Sequence, residues 1–394
     1  MDSFISPDNH WIIWTSLIGV ATLSIYLEER FKLFKKLTGA LVAMVGGMLL
    51  SNTGFLPVES SSYDIIREYI IPLTIPLLLM KMDVRRIIKE TGAMFWAFHL
   101  SALGTIIGSI VAVALLHSLV PHLALIVPAM TGSYIGGAIN FVALVSAFDP
   151  PHDLVNATIV ADNGIMALYF ILLISVPSVM FMRRAFPGTD KTKEIAGKDP
   201  DMDTEEKAKQ ITILDIGTAL TVAFMITSLS VLISNYFSDE RFSTMTHILL
   251  GQKYILLTTF SMLFPILFPR FAGRINGNNE LGVFFIFLFF VLIGVPASLK
   301  TVIFEAPVML LFCAVILAFN FITTFSLGKL FRFELEELVL AAIVTSGGPM
   351  NGVAIAKAKR WNALVIPSLL VGIWGYIIGN YTGYLVGIIL KGFF

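Results

Sequence analysis

The sequence predicts an all-α membrane protein made of two inverted halves, each with five membrane spans and one interrupted or re-entrant glycine-rich helical hairpin. Three observations lead to this fold class. First, 56% of the 394 residues are hydrophobic and 14% are charged, whereas about 25% are charged in a soluble globular protein. Second, the order of apolar segments repeats along the chain. Third, the distribution of Lys and Arg fits only one of the two ways in which the interrupted segments can sit in a bilayer.

Ten apolar segments can form membrane helices, because a hydrocarbon core about 30 Å thick needs roughly 20 helical residues. Two further segments, 121–148 and 336–358, contain Gly, Pro and hydroxyl residues near their centres, which disfavour a continuous helix. The predicted spans are 11–27, 37–56, 65–82, 93–118, 155–182, 211–236, 248–268, 281–299, 306–328 and 363–390.

The chain divides into two similar halves. Residues 1–182 form the predicted first repeat, with the hairpin 121–148, and residues 211–394 form the second, with the hairpin 336–358. Each half has four spans, then an interrupted segment, then one long span. Aligning the halves by their hydroxyl-containing triplets places Thr131-Gly132-Ser133 over Thr345-Ser346-Gly347; we call this the hydroxyl alignment. Repeats of this size are common in secondary transporters, which bind substrate where the repeats meet near the midplane.

The positive-inside rule separates two arrangements of the interrupted segments. If both segments cross the membrane, 14 of the 27 basic residues lie inside and 13 outside, so there is no bias. If each segment enters and returns as a hairpin, 22 lie inside and 5 outside, as the rule requires. This arrangement makes residues 183–210 a cytoplasmic linker. It also inverts the second half relative to the first.

The two hairpin tips are the candidate substrate site. Glycine lets the backbone approach a ligand, Pro349 suits the first position of a helix, and helix N-termini present free N–H groups to an anion. The alternative is that these glycines only permit tight helix packing. The predicted substrate ligands are Thr131, Gly132, Ser133, Gly136, Gly137 and Asn140 in the first tip, and Thr345, Ser346, Gly347, Gly348 and Asn351 in the second.

Asp162 and Asn163 form the candidate coupling-ion site. Asp162 is the only acidic residue well inside a predicted span, where a carboxylate is costly and usually faces a cavity or a proton relay. It could bind Na⁺ or carry a proton. The alternative is an interfacial aspartate that bonds to backbone or to Asn163.

Other polar and small residues in the spans are expected to serve packing. His99 and Asn320 are expected to make interhelical hydrogen bonds. Gly375, Gly379, Gly383 and Gly387 recur every four residues on the last helix, so they share one face and favour close helix contact.

Several functional classes are not supported. The net charge is zero and Cys313 is the only cysteine, so there is no overall field to attract nucleic acid and no internal disulfide or zinc cluster. The sequence also lacks a G-x-x-x-x-G-K-[ST] phosphate loop. We expect no enzymatic activity, no cofactor, and no metal other than a possible Na⁺ at Asp162.

The chain resembles the YjcL-like family of uncharacterised integral-membrane proteins over nearly its full length. The resemblance lies in MTGSYIGGAINFVALVSAF, VADNGIMALYF and TSGGPMNGVAIAKAKRW. More broadly, the pattern looks like the superfamily of citrate and glutamate sodium symporters and cation/proton antiporters. This implies a homodimeric elevator-type carrier whose tips, Thr131–Asn140 and Thr345–Gly352, bind substrate and sodium. Unlike the carboxylate symporters, the chain has no Arg at a tip, and its Asp162-Asn163 pair resembles the antiporter acidic pair in reverse order.

The sequence therefore favours a secondary active transporter that moves a small polar or anionic solute with a sodium or proton gradient. One alternative is a cation/proton antiporter, and another is a channel or membrane-bound sensor. The expected location is the bacterial inner membrane, and the expected partners are a small solute, the lipid bilayer and a second copy of the chain.

Overall fold

The computed structural model describes residues 3–186, 211–238 and 250–392, together with Thr246. Residues 187–210, most of the predicted linker, lie outside the described residues. The described residues form helices joined by short turns, with no β-strand among them. Six helices are long and apolar enough to cross a membrane: His10–Arg30, Ala93–Leu116, His152–Ser178, Ile213–Phe237, Ala306–Leu330 and Asn362–Lys391. An all-α, multi-span architecture is therefore confirmed.

The first half contains eleven described helices. They are α1 (His10–Arg30), α2 (Lys32–Leu37), α3 (Gly39–Asn52), α4 (Ser61–Ile65), α5 (Ile71–Leu79), α6 (Val84–Glu90), α7 (Ala93–Leu116), α8 (Leu123–Gly136), α9 (Ala138–Phe148), α10 (His152–Ser175) and α11 (Met180–Ala185). A π-helical turn, Ile66–Ile70, joins α4 to α5.

The described part of the second half contains eight α-helices. They are α12 (Ile213–Phe237), α13 (Lys253–Leu267), α14 (Pro269–Ala272), α15 (Asn278–Gly294), α16 (Leu299–Leu330), α17 (Leu335–Gly347), α18 (Pro349–Ala358) and α19 (Val365–Lys391).

Four of the ten predicted spans are shorter or less regular than expected. Helix α3 has 14 residues, α13 has 15 and α15 has 17. The predicted span 65–82 begins earlier, at Ser61, and contains the π-helical turn. This turn ends at Ile70, two residues before Pro72, which has no N–H to continue the α-helical hydrogen bonding.

The helices pack into two bodies, and each body draws on both halves of the chain. We call α1, α3, α4, α5, α12, α13 and α15 the frame body, and α7–α10 with α16–α19 the hairpin body. The most extensive helix contacts lie within these bodies, such as α7 with α16 and α8 with α19 in the hairpin body, and α3 with α15 in the frame body. Packing therefore groups the chain differently from the division at residues 183–210.

Helices α7 and α16 cross closely at the centre of the hairpin body. A Cβ built on Gly104 would lie 2.8 Å from Asn320 Cα, and one on Gly108 would lie 2.7 Å from Ile316 O. Residue numbers rise by four along α7, from 104 to 108, while those of the facing residues on α16 fall by four, from 320 to 316. The two helices therefore run antiparallel. Only glycine permits this approach of the two backbones.

Both interrupted segments fold into helical hairpins. Helix α8 ends at Gly136 and α9 returns alongside it, because a Cβ on Gly132 would collide with Leu144 on the returning helix. Helix α17 ends at Gly347 and α18 returns in the same way, with Gly352 against Val344. The predicted interruption of segments 121–148 and 336–358 is confirmed.

Candidate functional site

The first hairpin breaks at Gly137. Its φ of +75° and ψ of −167° fall in a region that essentially only glycine occupies. The tip is closed against α19: a Cβ on Gly136 would collide with Gly375 O, and Asn140 Nδ2 donates to Gly375 O at 3.2 Å. Asn140 is 2% exposed, so this side chain serves packing in the present conformation.

The second hairpin breaks in the same way at Gly348, with φ +81° and ψ 175°. Pro349 begins the returning helix, as predicted. A Cβ on Gly348 would meet no atom within 4 Å, and one on the corresponding Gly137 would meet only Tyr376 Cε1 at 3.7 Å. The two tips differ at the start of the returning arm: Met350 is 72% exposed where Ile139 is 3% exposed, and Asn351 donates back to Gly347 O within its own turn. The second tip is therefore open.

The two breaks share a sequence motif that the hydroxyl alignment misses. When Gly137 is placed over Gly348, both breaks read Gly-Gly-x-x-Asn-x-Val-Ala; we call this the break alignment. The hydroxyl alignment instead places Tyr134 over Gly348, so the two breaks fall out of register. A search for this glycine–asparagine motif in the sequence alone would have found the correct register.

The two predicted threonine ligands are bonded to α7 and do not converge on one point. Thr131 Oγ1 donates to Ser109 Oγ at 2.8 Å, and Thr345 Oγ1 lies 2.7 Å from Ser101 Oγ. Ser101 and Ser109 are about two turns apart on one helix, or about 12 Å. Both threonines are fully buried. They anchor the first arm of each hairpin.

The other tip residues divide between packing and open positions. Gly132 packs against Leu144 and Gly379 O, and the buried Ser346 hydroxyl donates to Ala342 O at 2.6 Å. Ser133 is half-buried, and it makes no side-chain hydrogen bond with another described residue. Of the predicted substrate ligands, Asn351 is exposed, Ser133, Gly137 and Gly347 are half-buried, and the others are buried.

A buried polar network lies where α7 crosses α16. Asn320 Nδ2 lies within 3.0 Å of Ser101 O, Ser101 Oγ and Thr105 Oγ1, and Asn320 Oδ1 accepts from Tyr169 OH at 2.6 Å. The prediction that Asn320 is an interhelical hydrogen-bonder is confirmed. The roles of Ser101, Thr105 and Tyr169 were not predicted, because single hydroxyls on apolar helices give no distinctive sequence signal.

His99 also makes the expected interhelical hydrogen bond. Its Nε2 accepts from Trp374 Nε1 at 3.2 Å, and its Nδ1 lies 2.7 Å from Phe95 O. The glycine stripe on α19 packs as predicted, since Gly375, Gly379 and Gly383 face the backbone of α8.

Asp162 and Asn163 point to different partners. Tyr134 OH donates to Asp162 Oδ1 at 2.6 Å, whereas Asn163 Oδ1 accepts from Thr38 Oγ1 at 2.8 Å and its Nδ2 donates to Ile159 O at 2.9 Å. The structure thus brings Asp162 to the first hairpin and Asn163 to the start of α3. Tyr134 was not predicted as a site residue.

Comparison with known proteins places the chain in a family. The model of the family described as "Protein of unknown function (DUF819)" matches residues 15–393. The chain belongs to the DUF819 family. It is 42% identical over 389 residues to the uncharacterized membrane protein YjcL of Bacillus subtilis (strain 168), a match that covers 98% of both chains. With its six membrane-length helices, this DUF819 protein is a multi-pass integral membrane protein of bacterial type, as expected.

A cavity of ≈580 Å³ lies in this DUF819 protein between the second tip and the frame body; we call it the Lys81 cavity. Pro349 and Met350 line it from the tip, and Tyr376 lines it from α19. The first break contacts the same tyrosine ring, since a Cβ on Gly137 would lie 3.7 Å from Tyr376 Cε1. The polar lining includes Lys81, Arg86, Asn276, Asn278 and Glu280.

A second cavity of ≈320 Å³, the Arg67 cavity, lies between the frame body and the base of the first hairpin. Val145 and Ser146 of α9 line it, rather than the hairpin tip. Its charged lining includes Arg67, whose Nη2 lies 3.1 Å from His152 Nε2. Of these two cavities of the DUF819 protein, the Lys81 cavity is therefore the one that combines a hairpin tip with polar and basic side chains.

Proposed function

We propose that this protein is a secondary active transporter that moves a small polar or anionic solute, driven by a sodium or proton gradient. The observation that carries the proposal is the pair of helical hairpins with the same Gly-Gly-x-x-Asn break, one of which opens into a cavity between the two bodies. Irregular backbone at such depth is tolerated in membranes where it lines a cavity, and transporters place their solute sites there.

The inverted relation of the halves has independent support. In the break alignment, α7 of the first half corresponds to α16 of the second, and these helices run antiparallel. If the hairpins are re-entrant, α7 and α16 are the fourth and ninth crossings and must point in opposite directions. If the interrupted segments cross the membrane, they are the fourth and tenth and must point the same way. The antiparallel register favours re-entrant hairpins.

The packing between halves also supports a two-fold relation. In order along the two halves, α1, α3 and α5 correspond to α12, α13 and α15. Helix α1 of the first half packs on α15 of the second, and their counterparts α12 and α5 also pack on each other. The same holds for α3 with α15 and for α13 with α5. Because corresponding helices point in opposite directions, the two-fold axis lies in the membrane plane.

The two bodies support an elevator mechanism, in which the hairpin body slides against the frame body. The positive-inside rule places Lys81 and Arg86 in the cytoplasm, so the Lys81 cavity opens inward and carries the open tip. The Arg67 cavity opens outward and reaches only the base of the first hairpin. A hairpin tip is thus accessible from the cytoplasm and not from the outside, as expected of a transporter in its inward-facing state. The family resemblance adds a homodimer, which cross-linking in native membranes can test.

The cavity lining supports a polar solute. Lys81 and Arg86 bring positive charge to the cavity, and Asp83 and Glu280 bring an equal number of negative charges; none of the four belongs to a hairpin tip. Arg86 also pairs with Glu90 at 2.9 Å. The three asparagines Asn276, Asn278 and Asn279 and backbone at the open tip supply further polar groups. A cation/proton antiporter is the second candidate, because the carboxylate of Asp162 stands within a membrane-length helix.

The experiment is a thermal-shift screen followed by solute counterflow. A solute that binds only the folded protein stabilises it by RT ln(1 + [L]/Kd), so polar and anionic metabolites are screened on the purified full-length chain. Each stabilising solute is then tested in proteoliposomes. A carrier accumulates labelled solute against unlabelled solute on the other side, and its uptake responds to an imposed sodium or proton gradient. Flux that is indifferent to unlabelled solute would instead indicate a channel.

A further inference from the structure

One hydrogen bond connects the membrane-embedded carboxylate to the first hairpin. Tyr134 is 1% exposed and lies on α8, in the turn before the break at Gly137. Its hydroxyl donates to Asp162 Oδ1 on α10 at 2.6 Å. The tyrosine ring is buried among the surrounding helices and Asp162 is half-buried, so the bond is a short, part-buried link between Asp162 and the tip.

The side chains that interact with Asp162 make a poor sodium site. Hard cations bind several oxygen atoms at once. The Tyr134 hydroxyl donates to the carboxylate, and Cys313 on α16, a second polar neighbour, carries a thiol. Asn163 is turned away and bonded to Thr38.

Few titratable groups face this carboxylate. Helix α8 contributes Tyr134, and α16 contributes Cys313. Helix α3 contains no titratable residue, and neither does α15 after Glu280 or α17 after Glu337. In the sequence of α16, the charged residue nearest to Cys313 is eight positions away, at Glu305. A single proton, which needs one carboxylate oxygen, suits this environment.

We propose that the coupling ion is a proton bound at Asp162, and that the Tyr134 hydroxyl transmits the charge of the carboxylate to the tip of the first hairpin. The inference rests on the proposed transport function and deepens it. A proton from water adds to one carboxylate oxygen and forms the neutral acid, and no other covalent bond changes. Tyr134 is a positioning residue, because it acts through Asp162.

The effect on the hairpin follows from hydrogen-bond strength. A hydrogen bond to an ionised acceptor is roughly twice as strong as one between neutral groups. Protonation of Asp162 therefore loosens Tyr134 and, with it, the last turn of α8. That turn ends at Gly136, which contacts Gly375 on α19. The proton thus favours opening of the first tip.

Hydrogen–deuterium exchange can test this link without knowing the solute. The full-length protein in nanodiscs is compared at acidic and mildly alkaline pH, with exchange corrected for its intrinsic pH dependence, and with sodium replaced by choline. In the wild type we expect protection of residues 131–148 to fall severalfold on acidification and to be indifferent to sodium. Asp162→Asn and Tyr134→Phe should lose this pH response.

Tyr169→Phe is the matched control. It also removes one buried hydroxyl that donates a 2.6 Å bond, but to Asn320 instead of Asp162. It should keep the full pH response. A second measurement, infrared spectroscopy at acidic pH, should show a carboxylic-acid C=O band in the wild type that is missing in Asp162→Asn.

Three results would overturn the inference. These are a full pH response in Tyr134→Phe, protection that follows sodium instead of pH, and a wild-type infrared spectrum without the Asp162 band. The infrared result decides the protonation even if Tyr134→Phe does not fold. If the wild type shows the expected pH response but no solute is found in the screen or the counterflow assay, the proposed transport function fails while the protonation of Asp162 and its link to the tip stand. The two proposals can therefore fail separately.

Discussion

Cysteine labelling can test the difference between the open and the closed tip. Met350 in the second tip is 72% exposed, whereas Ile139, its counterpart in the break alignment, is 3% exposed. Each is replaced by Cys in a Cys313→Ser background and treated with a membrane-impermeant maleimide. We expect Met350→Cys to react quickly from the cytoplasmic side and Ile139→Cys to react slowly from either side.

The size of the difference follows from the contacts that hold the first tip closed. Asn140 Nδ2 donates to Gly375 O on α19 and also to Gly132 O within its own hairpin. Only the first of these bonds breaks when the tip moves away from α19, and it contributes about 0.5–1.5 kcal/mol net. Opening the tip therefore costs at least this much, which slows a reaction that requires opening by roughly 2- to 13-fold.

The assay follows the adduct by mass spectrometry in right-side-out and inverted vesicles, and labelling in denaturant sets the maximum for each variant. An Asn140→Ala change in the Ile139→Cys background should raise the rate, because it removes the bond to Gly375 O on α19. Equal rates at the two tips would refute the closed-tip argument. Labelling of Met350→Cys only from the outside would refute the assigned orientation.

Three further predictions follow from the hairpins and Asp162. Leu330→Cys and Ala358→Cys flank the second hairpin and should both label from the cytoplasmic side; labelling from opposite sides would mean that the segment crosses. Asp162→Asn should abolish gradient-coupled uptake in liposomes while the protein stays folded, and full coupling in this variant would leave Asp162 a structural role only. Gly348→Val and Gly383→Val should each lower stability by about 1–3 kcal/mol, through backbone strain and overpacking respectively, and so lower the melting temperature. Only Gly348→Val should lose binding of a screened solute, and the opposite pattern would exclude the tips as the site.

Hydropathy predicted most of the fold because burial in lipid acts on every span. The ten predicted spans all fall on helices, and the two interrupted segments break within the predicted tips. The helix ends were less predictable, since local features set them. One example is the π-helical turn before Pro72, and another is the short α3 after Thr38, which has a φ of +62°.

The candidate site was less predictable because its contacts join residues far apart in the chain. Asp162 and Asn163 are neighbours in sequence, yet successive helical residues do not face each other, and their partners Tyr134 and Thr38 are 28 and 125 residues away. The hydroxyls of Thr131 and Thr345 were expected to face a solute but bond to serines on α7. Composition marks polar residues in a membrane without showing which neighbour satisfies them.

The Gly-Gly-x-x-Asn motif has different surroundings at the two hairpin tips, and this difference bears on how the protein would change from an inward-facing to an outward-facing state. Asn140 is buried against α19, whereas the corresponding Asn351 is exposed and bonds within its own turn. Because the two breaks have the same motif and the same backbone conformation, this difference comes from their surroundings and not from the hairpins themselves. Exchanging those surroundings would close the second tip and free the first, next to the Arg67 cavity. We expect such an exchange to require only sliding of the hairpin body, since contacts between the two bodies are less extensive than those within either.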